Sequence, residues 1–150
     1  MVLRIVIVGP GRVGTACGIQ LHRNGADLLG FVGRDAGRTA AAVRAVGAGA
    51  VLAPAAVGQA HVVLFAVADP DLPAAIAMAC SAAPVRRCSL WVHTSGLHDT
   101  SVFGQLGDRR VGCLHPVAPF GADGGGAVSM VGAPGVYCGE LRSLRLLRRL

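Results

Sequence analysis

The chain has 150 residues, of which 53% are hydrophobic and 15% charged, and this composition is typical of one folded domain. Its apolar residues come in short blocks broken by glycine, proline and charge, so no block reaches the roughly 20 residues of a membrane span. The net charge of +6 comes entirely from arginine, and with one Trp and one Tyr it does not favour nucleic acid; we expect neither a nucleic-acid nor a membrane partner.

The first element is an apolar strand from Val2 to Val8. It contains Arg4 and runs into a glycine loop without a cleavage-type sequence, so we expect no signal peptide and a cytoplasmic protein. The loop that follows is a GxGxxG motif with the residues Gly9, Pro10, Gly11, Arg12, Val13 and Gly14.

A strand, this motif and then a helix from Thr15 to Asn24 together predict a dinucleotide site. Gly9 would permit the tight turn, Gly11 would let the backbone approach a pyrophosphate, and Gly14 would let the helix pack closely on the strand. The pyrophosphate would lie at the helix N-terminus, where unpaired N–H groups favour an anion.

The rest of the chain alternates predicted strands and helices. The predicted strands are Leu28–Val32, Ala50–Leu52, His61–Val67, Ser89–His93, Val111–Leu114 with a possible extension to His115, Ala127–Val131 and Val136–Cys138. The predicted helices are Ala36–Val46, Pro70–Ala83, a short one at Thr100–Leu106 and Glu140–Leu150, with a turn at Pro54–Gly58 and a loop at Pro116–Gly126.

This alternation predicts an α/β fold: a doubly wound, mainly parallel Rossmann sheet with helices on both faces, in one domain over residues 1–150. In such a sheet the ligand lies across the carboxyl ends of the strands. The residues at those ends therefore carry the functional predictions.

The end of the second strand favours NADP over NAD. An acid usually binds the ribose hydroxyls of NAD about 20 residues after the glycine loop, whereas Gly33 and Arg34 occupy that place here. A glycine leaves room for a 2′-phosphate and a guanidinium pairs with it; Arg38 and Arg12 add positive charge. The alternative is that Asp35 binds the ribose of NAD, or that it only caps the next helix.

At the end of the fourth strand, Val67 and Ala68 lie where a nicotinamide ribose would pass, and a backbone contact to the cofactor is possible there. Asp69 is expected to cap the helix that Pro70 begins.

The fifth and sixth strands end in HTSG at 93–96 and HPVAPF at 115–120. His93 and His115 are candidate acid/base groups because histidine exchanges a proton near neutral pH. Ser95 is a candidate substrate ligand. The alternative for each is a structural polar residue at a strand end, and no GxSxG motif supports a serine hydrolase.

The five cysteines form no CxxC pair, so they predict neither a disulfide framework nor a metal site, and we expect them to be small core residues. Residues 141–150 alternate arginine and leucine with helical spacing. That helix is expected to pack on the sheet with its arginines in water; membrane binding or an oligomer contact are the alternatives.

The chain resembles bacterial Rossmann-like oxidoreductases related to pyrroline-carboxylate reductase, 6-phosphogluconate dehydrogenase and prephenate dehydrogenase. It looks closest to a subgroup with an uncharacterised helical second domain. The segments that carry the resemblance are the GPGRVG loop, Gly33-Arg34, AVADPDL, HTSG and HPVAPF. In prephenate dehydrogenases, a serine and the histidine of an HP motif after neighbouring strands face the substrate. By similarity these positions are Ser95 and His115.

The resemblance implies hydride transfer to or from a small carbonyl, imine or hydroxy-acid substrate. Proteins of this kind usually continue into a helical domain that closes the site, and this chain ends at about that junction. We therefore expect a homodimer or a separate helical-domain partner to complete the site; a non-catalytic NADP-binding module and a Rossmann-like site for another nucleotide are the alternatives.

Overall fold

A computed structural model describes residues 2–84, 89–107, 110–116 and 135–139. The strands in this part of the chain are β1 Arg4–Val8, β2 Asp27–Val32, β3 Ala50–Val51, β4 Val62–Phe65, β5 Leu90–His93, β6 Arg110–Pro116 and β7 Gly135–Gly139. The α-helices are α1 Arg12–Arg23, α2 Ala36–Val46 and α3 Leu72–Ala82, and short 3-10 segments lie at Pro54–Gln59, Asp69–Asp71 and Thr100–Leu106.

The strands form one sheet in the order β3-β2-β1-β4-β5-β6-β7. Strands β1 to β6 are parallel, and β7 runs antiparallel to β6. The predicted doubly wound, mainly parallel fold is confirmed. The chain winds outward from β1 in both directions, so the switch point of the sheet lies between β1 and β4.

Both faces of the sheet are covered, which explains why its central strands are apolar throughout. In β1, Ile5 and Ile7 pack into the layer with α1 and α2, while Val6 and Val8 pack into the layer with α3 and the Thr100–Leu106 segment. A strand buried on both faces needs apolar side chains in both directions.

Two predicted boundaries are wrong: the start of α1 and the end of β4. Helix α1 begins at Arg12 instead of Thr15, because Gly11 with extended backbone already occupies the N-cap position. Strand β4 ends at Phe65 instead of Val67. The residues just after Phe65 therefore lie beyond the strand, at the sheet edge.

The prediction that Asp69 caps α3 is also wrong. A 3-10 turn from Asp69 to Asp71 precedes the helix, which begins at Leu72, and neither carboxylate accepts a bond from an amide of the first turn. Helix α3 follows a turn that already satisfies part of the local backbone, since the Asp71 amide donates to the Ala68 carbonyl.

The predicted loop Pro116–Gly126 overlaps β6 at Pro116, and its other residues lie outside the described part of the chain. The predicted elements Ala127–Val131 and Glu140–Leu150 also lie outside the described residues, while Val136–Cys138 falls within β7. Among the helices that are described, none has the length and apolar character needed to cross a membrane.

Candidate dinucleotide cleft and strand-end cluster

The glycine loop has two glycines fixed by packing and one that faces open space. Gly9 has φ of +111°, and a Cβ there would collide with the Ala66 carbonyl oxygen. A Cβ on Gly14 would collide with the carbonyl oxygen of Gly9, so helix and loop touch through backbone. Around Gly11, by contrast, no atom lies within 4 Å of the Cβ position.

The N-terminus of α1 lies beside Gly11. Gly11 is its N-cap, no side chain caps it, and its first turn contains no acidic residue. The first N–H groups of a helix lack partners within the helix, and the dipole makes this end positive. This end of α1 is therefore suited to a phosphate group.

A cleft of about 550 Å³ opens along the carboxyl ends of β1, β2 and β4. Among the predicted cofactor residues, those that line it are Gly9, Pro10, Gly11, Gly33, Arg34, Arg38, Val67 and Ala68. Arg12, Val13 and Gly14 do not line it: Arg12 is an exposed residue of α1, and Gly14 is buried behind the loop.

Gly33 has a packing reason to be glycine. A Cβ there would collide with Thr39 Oγ1 and would lie 2.7 Å from Pro10 Cγ. The end of β2 thus lies directly against the glycine loop. The sequence interpretation, room for a 2′-phosphate, did not foresee this contact.

Arg34 and Asp71 face each other across the cleft. Arg34 Nη2 donates to Asp71 Oδ2 at 2.9 Å, with the Arg34 side chain 88% exposed and that of Asp71 44% exposed. Both residues line the cleft, so this ion pair joins its β2 wall to its α3 wall. Sequence reasoning missed Asp71, which is 37 positions from its partner.

Asp35 caps α2. Its Oδ1 accepts from the Arg38 amide at 2.8 Å, and its carbonyl accepts from the Thr39 hydroxyl at 2.6 Å. Asp35 also lines the cleft. The carboxylate proposed as the alternative ribose ligand is therefore already used at the helix N-terminus.

The remaining wall is apolar and comes from α3. Ala74, Ala75 and Met78 line the cleft opposite the glycine loop, with Pro54 at its side. Sequence reasoning missed these residues; their spacing of one and four positions places them on one face of a helix that starts at the same sheet edge, and that spacing is the signal that could have found them.

The residues that follow β5 form hydrogen bonds with the end of β4 and with the next turn of the chain. The Thr94 amide donates to the Phe65 carbonyl at 3.0 Å, and Ser95 Oγ accepts from the amides of Leu97 and His98 at 3.1 Å each. Both bonds use the serine oxygen as acceptor, so its O–H remains a donor. Ser95 is only 6% exposed.

His115 lies on the adjacent strand, against this turn. Its Nδ1 is 3.0 Å from the Thr94 carbonyl oxygen, which can only accept, so Nδ1 carries the hydrogen. In the neutral ring Nε2 then holds the lone pair. A Cβ on Gly96 would lie 2.9 Å from His115 Cε1, so the imidazole rests on this glycine.

His93 lies inside the protein. Its side chain is 0% exposed, Nε2 is 3.2 Å from the Asp99 carbonyl oxygen, and its ring centroid is 5.5 Å from that of Phe103. Burial lowers the pKa of His93, and Nδ1 has no partner among the described residues. This placement favours a structural role for His93, whereas His115 lies against Thr94 and Gly96, the residues on either side of Ser95.

The glycine-loop cleft and the Ser95–His115 cluster share one edge of the sheet. The strand order places β2 and β1 at one end of this edge and β5 and β6 at the other, with β4 between them. This arrangement defines a Rossmann-type α/β domain with a glycine loop before α1 and a separate polar cluster further along the edge.

The Rossmann-like domain family model matches residues 1–119, and the chain belongs to this family. The comparison with curated proteins gives no match. The expected Rossmann-like family is confirmed by this match, and similar solved structures share the fold.

One similar structure is a Bacteroides fragilis protein provisionally named an NADP oxidoreductase, with 19% identity, a TM-score of 0.83, and coverage of 97% of this chain and 55% of that one. Prephenate dehydrogenase from A. aeolicus has 14% identity, a TM-score of 0.77, and coverage of 99% and 56%. Pyrroline-5-carboxylate reductase from Coxiella burnetii has 14% identity, a TM-score of 0.75, and coverage of 99% and 54%. The chain thus spans about half the length of the structures it matches.

Proposed function

We propose that this chain is the NADP(H)-binding part of an oxidoreductase that acts on a small carbonyl, imine or hydroxy-acid substrate. The observation that carries the proposal is that the glycine loop, the uncapped N-terminus of α1 and Arg34 border one cleft. The similar structures support it, since their names include an NADP oxidoreductase and two dehydrogenase or reductase activities.

The residues of the cleft fit a dinucleotide in three parts. The open side of Gly11 and the N–H groups of α1 suit the pyrophosphate. The apolar wall of Ala74, Ala75 and Met78 suits the adenine ring. At the β2 end, Arg34 suits a 2′-phosphate and Asp35 is engaged as a helix cap.

His115 is the proposed acid/base group. The Thr94 carbonyl fixes its tautomer and leaves Nε2 with the lone pair, so neutral His115 can accept a proton from a substrate hydroxyl or amine. In the opposite direction, protonated His115 donates from Nε2. Ser95, through its free O–H, would hold the substrate oxygen or nitrogen beside it.

When bound, a nicotinamide would supply the hydride acceptor or donor. This chain contributes the orientation of both partners and the movement of one proton at His115 Nε2. The chain spans about half of each matched structure, and we propose that a homodimer or a helical-domain partner completes the substrate site.

A parallel titration with NADPH and NADH, followed by the fluorescence of the reduced nicotinamide, tests the proposal. Wild type should bind NADPH more tightly, and Arg34→Ala should lose this preference. Arg44→Ala is the matched control, because Arg44 is an exposed arginine in the last turn of α2, away from the cleft.

Asp71→Asn should change NADPH affinity in the opposite direction from Arg34→Ala. It frees Arg34 from its carboxylate and removes a negative charge from the cleft, so NADPH should bind more tightly by up to about fivefold, with NADH little changed, since an exposed ion pair is worth about 0.2–1 kcal/mol. Failure of wild type to bind either nucleotide would overturn the proposal. Equal binding of both, unaffected by Arg34→Ala, would reject NADP specificity alone.

A further inference from the structure

Cys113 and Cys138 are directly opposite each other on neighbouring antiparallel strands. They are register partners in the β6–β7 pair, and both are free thiols. Residues opposite each other in such a pair have Cα atoms about 4.5–5.5 Å apart, and a disulfide requires about 4.4–6.8 Å. The backbone therefore already holds these two residues at bonding distance.

Their side chains lie on the same face of the sheet. Opposite residues of an antiparallel pair point to the same side, with Cβ atoms about 4.5–5.5 Å apart. A disulfide needs about 3.5–4.5 Å, so an approach of about 1 Å closes the bond. Cys138 also contributes to the environment of Cys113. Burial raises the pKa of Cys113, the charge of the neighbouring Cys138 thiol raises it further, and a hydrogen bond with the Cys138 backbone lowers it.

The two thiols differ in access. Cys113 is 6% exposed, whereas Cys138 is an exposed residue, contrary to the expectation that the cysteines are core residues. A small oxidant can therefore reach Cys138, and Cys113, its register partner, can complete the exchange. The other described cysteines, Cys17 and Cys80, have no cysteine as strand partner in the described sheet.

We infer that Cys113 and Cys138 are a redox-active dithiol that closes to a disulfide when the protein meets a small-molecule disulfide such as oxidised glutathione. The Cys138 thiolate attacks one sulfur of the oxidant, whose S–S bond breaks and releases one thiol. The Cys113 thiolate then attacks the Cys138 sulfur of the mixed disulfide and releases the second thiol. The protein loses two protons and two electrons, which appear in the two released thiols.

The bond would lie next to the candidate catalytic residue. His115 is two positions after Cys113 on the same face of β6, and its register partner is Val136 on β7. In the reduced protein, β7 is held to this strand by its backbone ladder. The disulfide would join β7 covalently to the strand that carries His115.

Peptide mapping after incubation of the full chain with oxidised glutathione tests the inference. Wild type should lose two hydrogens in mass, retain no glutathione, and give one cross-linked peptide pair containing Cys113 and Cys138; dithiothreitol should reverse it. Cys113→Ser should retain glutathione on Cys138, and Cys138→Ser should leave Cys113 unmodified.

Cys17→Ser is the matched control and should still form the cross-link. Cys138→Ser keeps the test valid if Cys113→Ser fails to fold, because Cys138 is exposed. Wild type that stays reduced, stops at glutathione on Cys138, or cross-links a different cysteine would overturn the inference. None of these outcomes depends on nucleotide binding, so the result is independent of the proposed function.

Discussion

At the scale of single residues, Gly96 determines where the His115 imidazole lies. A Cβ at position 96 would be 2.9 Å from Cε1 and 3.1 Å from both ring nitrogens. We therefore expect Gly96→Ala to displace the ring and to break its bond to the Thr94 carbonyl. If the chain turns over substrate, kcat should fall while the affinity for NADPH stays the same, because Gly96 does not line the nucleotide cleft.

Nitrogen NMR of the imidazole measures this displacement directly. In wild type the Nδ1–H tautomer should dominate, and Gly96→Ala should mix the two tautomers. Gly104→Ala is the control, because no atom lies within 4 Å of its Cβ position. An unchanged tautomer in Gly96→Ala would show that the glycine does not position the ring.

The structural role of a residue was predictable from the sequence only where its cause lies in neighbouring residues. The glycine at position 9 follows from the strand-to-helix turn, and Asp35 from its place before a helix. Gly33 is required by its contact with Pro10, and Arg34 pairs with Asp71. Both relations join elements that are distant in sequence. No pattern in the sequence itself brings those pairs together.

At the scale of elements, two glycines of the loop have different requirements. Gly14 is needed for packing, and Gly11 is expected to be needed for nucleotide binding. Gly14→Ala should be strongly destabilising, because its Cβ would collide with the Gly9 carbonyl, which is backbone and cannot move aside alone. Overpacking of this kind costs about 1–3 kcal/mol. Gly11→Ala meets no atom within 4 Å and should cost about 1 kcal/mol or less, the difference between Gly and Ala at an N-cap.

For nucleotide binding we expect the opposite order: Gly11→Ala should weaken the NADPH affinity of the folded protein more than Gly14→Ala does. Gly11→Ala places a methyl group at the open face of the loop, where the pyrophosphate is proposed to lie, and should weaken NADPH binding at least tenfold. Urea unfolding and NADPH titration of both variants measure the two effects. Full NADPH affinity in a folded Gly11→Ala protein would contradict the proposed position of the pyrophosphate.

Element types were predicted better than element boundaries. The β4 run was correctly read as a buried strand, but its end was placed two residues too late because Ala66 and Val67 are as apolar as the strand itself. Their environment changes only because the sheet ends and the cleft begins there. Hydrophobicity alone does not record that change.

At the scale of the whole molecule, the sheet order explains how motifs distant in sequence come to the same edge of the sheet. Strands β1, β2 and β4 bring the glycine loop and Arg34 to one part of the edge, and β5 and β6 bring Ser95 and His115 to the next part. Parallel strands end on the same side, so this clustering was predictable from the alternation of strands and helices. The burial of His93 was not, because Phe103 and Asp99, which cover it, come from the following segment.

This buried histidine couples the stability of the whole domain to pH. Burial lowers the pKa of His93 below its usual 6.5, so the unfolded chain binds a proton there more readily than the folded protein. The free energy of unfolding should therefore be fully retained above pH 6.5 and should fall as the pH drops through 6.5 toward the folded pKa, with a slope of at most about 1.4 kcal/mol per pH unit from this group.

Trp91 offers the measurement, because it is the single tryptophan, is 1% exposed and packs on Phe65 in the core, so its emission reports global unfolding. Urea unfolding of His93→Gln between pH 5 and 8, about the range in which histidine titrates, should show a shallower pH dependence than wild type. His22→Gln, which removes an exposed histidine of α1, is the control. If His93→Gln keeps the full wild-type slope, the acid sensitivity arises from another group, and His93 is not held neutral by the core.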